Sequence, residues 1–339
     1  MIDLWKQIEK KQFSPIYLLY GIESYLINET KQKLVNNVLT DEEMDFNLAN
    51  YDLEETSIEV ALEDAETFPF MGEKRLIFLH NAFFLTAEKG KQRVEHNIQK
   101  LEEYIQNPPP YTVLVIIAPY EKLDERKKIT KQLKKQAALL EAKKLNEMDL
   151  KKWVFQKVAE NGVQIDDNAV DLLITLAGTN LMMLSAEIDK LSLFVGVSNA
   201  ISSETVENLT SRSLEQNIFS LVDKVVHRKI NEALRIYYDL LKQNEEPIKI
   251  LSILANQFRL LYQTKELQRR GYGQQQMASY LKVHPFRIKL AAGQAKLFSE
   301  EELKRIMLLC ADSDYQMKTS GMNKVMIIEM LLFKLSKSA

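Results

Sequence analysis

A chain of 339 residues exceeds one ordinary core, and at roughly 100–200 residues per domain two or three domains are expected. Apolar residues make up 46% and charged residues 27%, which excludes global disorder, and a formal charge of −2 from 45 basic and 47 acidic residues confines any nucleic-acid site to a local patch. The single cysteine, Cys310, excludes an internal disulfide and a four-Cys zinc module and reads as a core thiol in a reducing, cytoplasmic setting.

The opening "MIDLWKQIEKKQ" has the spacing of an amphipathic helix and carries Asp3, unlike a signal peptide. The alternation that follows predicts strands over Ile16–Tyr20, Phe46–Tyr51, Arg75–Leu79, Val113–Ala118 and Ala138–Ala142. Between them, helical spacing covers Tyr25–Val38, Ile58–Thr67, Gln92–Gln106 and Glu125–Lys135. Strands alternating with helices imply a parallel α/β sheet covered on both faces, a nucleotide-binding type of fold. The run "TVLVIIA" at Thr112–Ala118 is far shorter than the roughly 18 residues of a membrane span, so no membrane partner is expected.

After Lys144 the strand signal stops. Asn146 caps a helix running to Glu160, Asp166 caps the next, which closes at Gly178, and a third runs from Asn180 to Phe194 before Gly196. A short helix, Glu204–Thr210, leads into a polar joint at Thr210–Asn217. From Ile218 onward the pattern is helical throughout, with turns at Gly271 and Gly273, Pro285 ahead of another helix, and a capping box at Ser299 and Glu302. The last two helices are expected over Glu301–Ser313 and Met322–Leu335.

The stretch "IYLLYGIESYLINETKQKL" at Ile16–Leu34 has the layout of a phosphate-binding strand, loop and helix, but not its chemistry. The loop requires G-x-x-x-x-G-K-[ST], and counting from Gly21 places Leu26, Ile27 and Asn28 at the second glycine, the lysine and the hydroxyl. The strand Val113–Ile117 ends in Ala118 and Pro119, with no carboxylate to hold magnesium. In "GTNLMMLSAEIDKL" the residues Leu181, Met182 and Met183 stand where an arginine would sense phosphates. Failure at three independent places argues for a nucleotide site that has lost hydrolysis, so no catalytic residue, metal or cofactor is expected. His80, His96, His227 and His284 lack metal-ligand spacing, and Asp166–Asp167 and Glu245–Glu246 sit where capping explains them.

Two surfaces are candidates for partners. The helix in Glu121–Gln136 is strongly basic, which a solvated face explains more simply than a nucleic-acid contact; Arg259, Arg269, Arg270, Arg287 and Lys289 likewise punctuate the helical region. In "AETFPFMGEKRLIFL", Pro69 ends a helix and Gly72 permits a tight turn, so Phe68, Phe70 and Met71 are expected on a short connection facing solvent, where they would anchor a protein partner.

The motifs "LLYGIESYLINE", "TFPFMGEKRL", "GTNLMMLSAEIDKLSLFVG" and "LKVHPFRIKLAAGQAKLFSEEEL", in this order across essentially the whole chain, resemble the delta-subunit family of bacterial DNA polymerase III, part of the clamp-loader complex. The resemblance implies an AAA+-like α/β base domain with a degenerate phosphate loop (1–145), a small helical lid domain (146–212) and an all-α collar domain (213–339). It further implies a subunit that does not hydrolyse ATP but binds the ring-shaped sliding clamp (beta subunit) and holds it open for loading onto primed DNA. Neighbouring gamma/tau and delta-prime subunits would join through the collar. The family's clamp-binding element, a hydrophobic turn after a base-domain helix, maps onto Phe68, Pro69, Phe70 and Met71. Three alternatives stay open: an AAA+ nucleotidase with an atypical loop; the delta-prime subunit, whose Cys-rich zinc module is missing from a chain with one cysteine; and a helical scaffold or adaptor unrelated to replication.

Overall fold

The computed structural model describes residues 1–87 and 94–338, with side chains to residue 336, and they divide into two units, Met1–Lys144 and Leu145–Ala339. In the first, α1 (Ile2–Glu9), β1 (Ile16–Gly21), α2 (Ser24–Val38), α3 (Asp41–Asn47), β2 (Leu48–Asp52) and α4 (Ile58–Ala65) precede β3 (Arg75–His80), α5 (Ile98–Gln106), β4 (Thr112–Ala118), α6 (Lys128–Gln136) and β5 (Ala138–Ala142). A 3₁₀ turn at Phe83–Leu85 follows β3. Gln92 lies outside the described residues, but the helix expected from it is corrected at its start: residues 94–97 are not helical, and α5 begins at Ile98, where the Asn97 side chain accepts the N–H groups of Gln99 and Lys100.

The five strands are all parallel, in the order β2-β3-β4-β1-β5, with Ile16 opposite Leu114 and Tyr17 opposite Ala138. Because successive side chains alternate between faces, Ile16, Leu18, Ile77, Leu79, Leu114 and Ile116 share one core with Leu62 of α4, Leu101 of α5 and Leu133 of α6. The other face meets α1 and α2. Trp5 of α1 donates its indole N–H to Thr30 of α2 at 2.7 Å, and Lys31 of α2 lies 5.3 Å from the Phe78 ring centre. This is an α/β sandwich whose strands all run the same way, so the connections leaving their carboxyl ends, β1–α2 among them, lie at one end of the sheet and those entering their amino ends, α4–β3 among them, at the other.

One expected strand is corrected. Phe46 and Asn47 belong to α3, and β2 begins at Leu48. Thr40 starts that helix: its backbone N–H donates to Glu43 Oε2 at 2.8 Å, half of a capping box. Hydrogen bonding at the helix start therefore overrides the strand-like apolar spacing around Phe46.

The second unit begins with α7 (Glu147–Glu160), β6 (Gln164–Ile165), α8 (Asp167–Ala177), α9 (Leu181–Val195), β7 (Ala200–Ile201) and α10 (Ser203–Leu209). The side chains of Asn146, Asp166 and Asn180 each accept a backbone N–H in the first turn of α7, α8 and α9. The two-residue parallel bridge between β6 and β7 has no counterpart in the expected pattern, since two residues are too few for a strand period to register.

It continues with α11 (Leu214–Val226), α12 (Ile230–Lys242), α13 (Pro247–Arg269), α14 (Gln274–Leu281), α15 (Pro285–Ala295), α16 (Glu300–Thr319) and α17 (Lys324–Ser338). The polar joint is shorter than expected, because Ser213 caps α11 by accepting Gln216 N–H. The apolar stripe through Val225 and Ile230 is broken by Arg228 at φ 57°, which turns the chain back so that α11 and α12 pack together. Leu221, Tyr237, Leu254, Phe258, Ile306 and Leu331 form the core of these helices. Cys310 is part of it, and burial pushes its thiol up to about 12, as expected of an inert core cysteine. Among the described residues no helix is long and apolar enough to cross a membrane.

Candidate functional site

The connection from β1 to α2 is two residues long, Ile22 and Glu23, because the helix already begins at Ser24. A phosphate loop works by leaving several backbone N–H groups unspent and pointing inward. Here Leu26 N–H and Ile27 N–H donate to Glu23 O within the first helical turn, at 3.1 and 3.4 Å. Leu26 and Ile27 are buried in the core and Asn28 is exposed. Gly21 (φ +123°) serves the sheet: a Cβ there would fall 2.2 Å from Ala142 O on β5, and Glu23 N–H donates to the same oxygen at 2.8 Å. Glu23 adds a carboxyl at the helix start, its pKa raised first of all by burial, where a phosphate site would carry a lysine.

The connection from α4 to β3 has the opposite character. Phe68 is 75%, Phe70 74% and Met71 45% exposed, while Pro69 is half-buried. Burying one such side chain is worth about 1.5–3 kcal/mol, so three of them left in water within four positions form an exposed apolar patch. Phe46, at the end of α3, is itself 52% exposed and lies 5.2 Å from Phe70 between ring centres. Phe68 packs on Tyr111 at 4.5 Å. The apolar patch therefore comprises five side chains, three from the α4–β3 turn, one from the end of α3 and one from the α5–β4 connection.

Its backbone is held from below. Asn47 is fully buried; Phe70 N–H donates to its Oδ1 at 3.0 Å, and its Nδ2 donates to Met71 O. One side-chain amide satisfies both backbone groups of the turn, and the two bonds together fix which way the amide points. Gly72 (φ +74°) closes the turn, and a Cβ there would overlap the Glu43 carboxylate at 1.6 Å. The helix side is anchored by Tyr111 Oη donating to Glu66 O at 2.7 Å and Thr112 Oγ1 to Ala65 O at 2.6 Å. Arg75, first residue of β3, pairs with Asp64 of α4 and donates to Phe46 O at 3.3 Å. Phe46, Asn47 and Tyr111 were not among the expected site residues; the T-x-x-E spacing of Thr40 and Glu43 was the available signal for the first two.

The start of α4 is held by His96, whose Nδ1 accepts Ile58 N–H at 3.1 Å. The ring lies 5.1 and 5.6 Å from Phe83 and Phe84, and its pKa is lowered chiefly by burial, against a smaller upward pull from the Leu53 backbone and Glu59.

The basic candidates are mostly spent within the molecule. Lys127 donates to Phe84 O and Thr86 O, Lys128 pairs with Glu102 and Lys134 with Glu125. Arg269 and Arg270 pair with Glu266, Lys289 with Glu147, and Arg259 donates to Asn256. Among the described residues no three His, Cys, Asp or Glu side chains converge as a metal site.

The parallel sheet therefore carries a closed β1–α2 connection at the carboxyl ends of its strands and a rigid, exposed apolar turn at their amino ends. Comparison with known proteins makes the class specific. Family models described as DNA polymerase III, delta subunit, and DNA polymerase III delta subunit, C-terminal domain, match residues 17–143 and 215–335, and a middle-domain model matches residues 146–208. The chain is 50% identical over 337 residues to DNA polymerase III subunit delta of Bacillus subtilis (strain 168), covering 99% of this chain and 97% of that one. It is 23% identical over 299 residues to the probable DNA polymerase III subunit delta of Aquifex aeolicus (strain VF5), covering 86% and 83%. The solved structure of the Bacillus subtilis DNA clamp loader delta protein (YqeN) superposes with a TM-score of 0.81 at 50% identity, covering 99% of both chains. The chain belongs to the DNA polymerase III delta-subunit family.

Proposed function

We propose that this chain is a non-catalytic clamp-loader subunit that grips the sliding clamp through Phe68, Pro69, Phe70 and Met71 and holds the ring open for loading onto primed DNA. The observation that carries this reading is the exposed aromatic turn clamped by Asn47, on a chain half identical to a clamp-loader delta protein. Residues 1–145 serve as the clamp-binding base, 146–212 as the lid and 213–339 as the collar that meets the gamma/tau and delta-prime subunits. The work is done in the cytoplasm, without a nucleotide of its own.

The turn acts by differential binding. A protein shifts an equilibrium only through its unequal affinity for the two states, so this subunit must hold the open clamp more tightly than the closed one. Rigidity matters for that purpose: a turn fixed before contact loses little conformational entropy on docking and transmits its position to the ring. The β1–α2 connection supports independence from nucleotide, since its N–H groups are already used and Leu26 and Ile27 fill the space below. Capture of the cognate sliding clamp by the purified chain in the absence of ATP tests the proposal; capture that appears only with ATP contradicts it.

A further inference from the structure

The last turn of α3 carries Phe46, a ring 52% exposed and outside the core of the sheet. Its backbone is fixed from both sides. Arg75 of β3 pairs with Asp64 of α4 and donates from Nη1 to Phe46 O at 3.3 Å. The next residue, Asn47, is buried and holds the backbone of Phe70 and Met71. The end of α3 and the α4–β3 turn therefore share their anchors. They present the Phe46 and Phe70 rings at a set spacing, with centres 5.2 Å apart and planes tilted by 35°.

That spacing constrains whatever receives Phe70. Two aromatic rings at this separation are in contact, so Phe46 already covers one side of Phe70, and a pocket that closes around Phe70 must take in Phe46 as well. The surroundings of Phe46 add a sign of charge. Glu42 lies one helical turn before it on the same face, and Asp45 is its neighbour, with Asp41 one turn before Asp45. All three carboxylates are exposed, and none has an ion pair or side-chain hydrogen bond among the described residues. The helix start favours Asp41 and Glu42, but Asp45 stands in the last turn, where the helix dipole opposes a carboxylate. Nothing within α3 accounts for an acid there.

We propose that Phe46 and Asp45 form a second docking element for the sliding clamp, continuous with the turn: the Phe46 ring enters an apolar cleft of the clamp beside Phe70, while Asp45 and Glu42 face cationic side chains on the rim of that cleft. The inference rests on the reading of Phe68–Met71 as the clamp grip and adds the chemistry of the surface that receives it. That surface has an apolar cleft wide enough for two touching rings, bordered by lysine or arginine. An acidic border would repel the end of α3, so the element selects its partner as well as binding it.

Titration of the nucleotide-free full chain against the cognate clamp tests this with Phe46→Ala, Phe70→Ala and the double variant. Because Phe46 is half in water, Phe46→Ala should keep the wild-type melting temperature, while its clamp affinity falls about tenfold. The double variant should lose less than the product of the two single losses, since each ring forms part of the other's contact. Occlusion is read separately. The chain's one cysteine, Cys310, is buried with its thiol pushed up to about 12, so Phe46→Cys supplies the reactive thiol, and saturating clamp should slow its alkylation about tenfold or more. Asp45→Asn should associate several-fold more slowly than wild type at about 50 mM salt and match it at about 0.5 M, where screening removes the long-range attraction.

Wild-type affinity in Phe46→Ala alongside a weakened Phe70→Ala overturns this proposal and leaves the turn as the grip. Wild-type affinity in Phe70→Ala removes the grip itself, and this proposal with it. Alkylation of Phe46→Cys that the clamp does not slow, or a wild-type association rate for Asp45→Asn at low salt, also overturns it.

Discussion

Two connections of the first unit carry apolar residues beside a glycine of positive φ, and they end in opposite ways. After the β1–α2 connection, Leu26 and Ile27 in the first turn of α2 are buried, and their backbone N–H groups are bonded to Glu23 O. Between α4 and β3, Phe68 and Phe70 stand three-quarters exposed, because Asn47 satisfies the turn's backbone from below and leaves the rings no core to enter. The difference lies in what meets the backbone. Where the helix itself uses the N–H groups, its apolar side chains turn inward with it; where a buried side chain uses them, the turn is held outward at fixed height. The first arrangement leaves its backbone donors spent; the second leaves an apolar patch in solvent, as the proposed clamp grip requires.

The sharpest way to break the comparison is to restore the missing motif. Leu26→Gly with Ile27→Lys and Asn28→Ser recreates the phosphate-loop consensus, yet the connection stays two residues long, so ATP binding by equilibrium dialysis should remain undetectable. The same change empties a core position and places an ammonium in it, destabilising the chain by about 5 kcal/mol in urea unfolding; a variant that binds ATP would show that length is not what closed the site. Next in size is Gly21→Ala. Positive φ together with a Cβ 2.2 Å from Ala142 O should cost about 3 kcal/mol, read from the same denaturation curves.

Asn47→Leu probes the other connection. Removing the amide strands Phe70 N–H and Met71 O at similar side-chain volume, for a loss of about 2 kcal/mol, and clamp affinity should fall several-fold although no aromatic ring has changed. A wild-type affinity in this variant would mean that the turn needs no support.

Acid should loosen the exposed turn selectively. Burial holds the His96 imidazole below its ordinary value of 6.5 in the folded chain, so the fold favours the neutral ring whose Nδ1 accepts Ile58 N–H. That stability is present above pH 6.5 and is lost as pH falls through the folded value. His80 contributes in the same direction, depressed by burial and by Lys31. The amide protection factors at Ile58 and through α4, taken against the intrinsic rate at each pH, should therefore fall between pH 7.5 and 5.5, with Leu26 and Ile27 less affected; His96→Phe should lose protection at Ile58 at both pH values.

Much of this was legible in the chain. The alternation of apolar runs and helical spacing was enough for a covered parallel sheet, and Leu26, Ile27 and Asn28 by themselves removed the phosphate chemistry. Pro69 and Gly72 marked the turn between Ala65 and Arg75 because proline fixes φ and glycine admits positive φ without strain, regardless of context. What escaped was tertiary. Phe46 reads as strand by its neighbours, whereas the bond from Thr40 to Glu43 places it on a helix, next to Phe70. Asn47 looks like any turn residue until the chain brings Phe70 and Met71 within reach of its amide, 23 and 24 residues away. Arg228 ends a helix in left-handed backbone with no glycine to announce it.

The central claim is that the apolar turn is the grip on the sliding clamp. Titration of the nucleotide-free chain against the cognate clamp, comparing wild type with Phe70→Ala, tests it directly. A ring 74% exposed contributes little to folding, so the variant should unfold within about 0.5 kcal/mol of wild type while binding the clamp about 1–3 kcal/mol more weakly. Equal clamp affinity for the two proteins would contradict the claim.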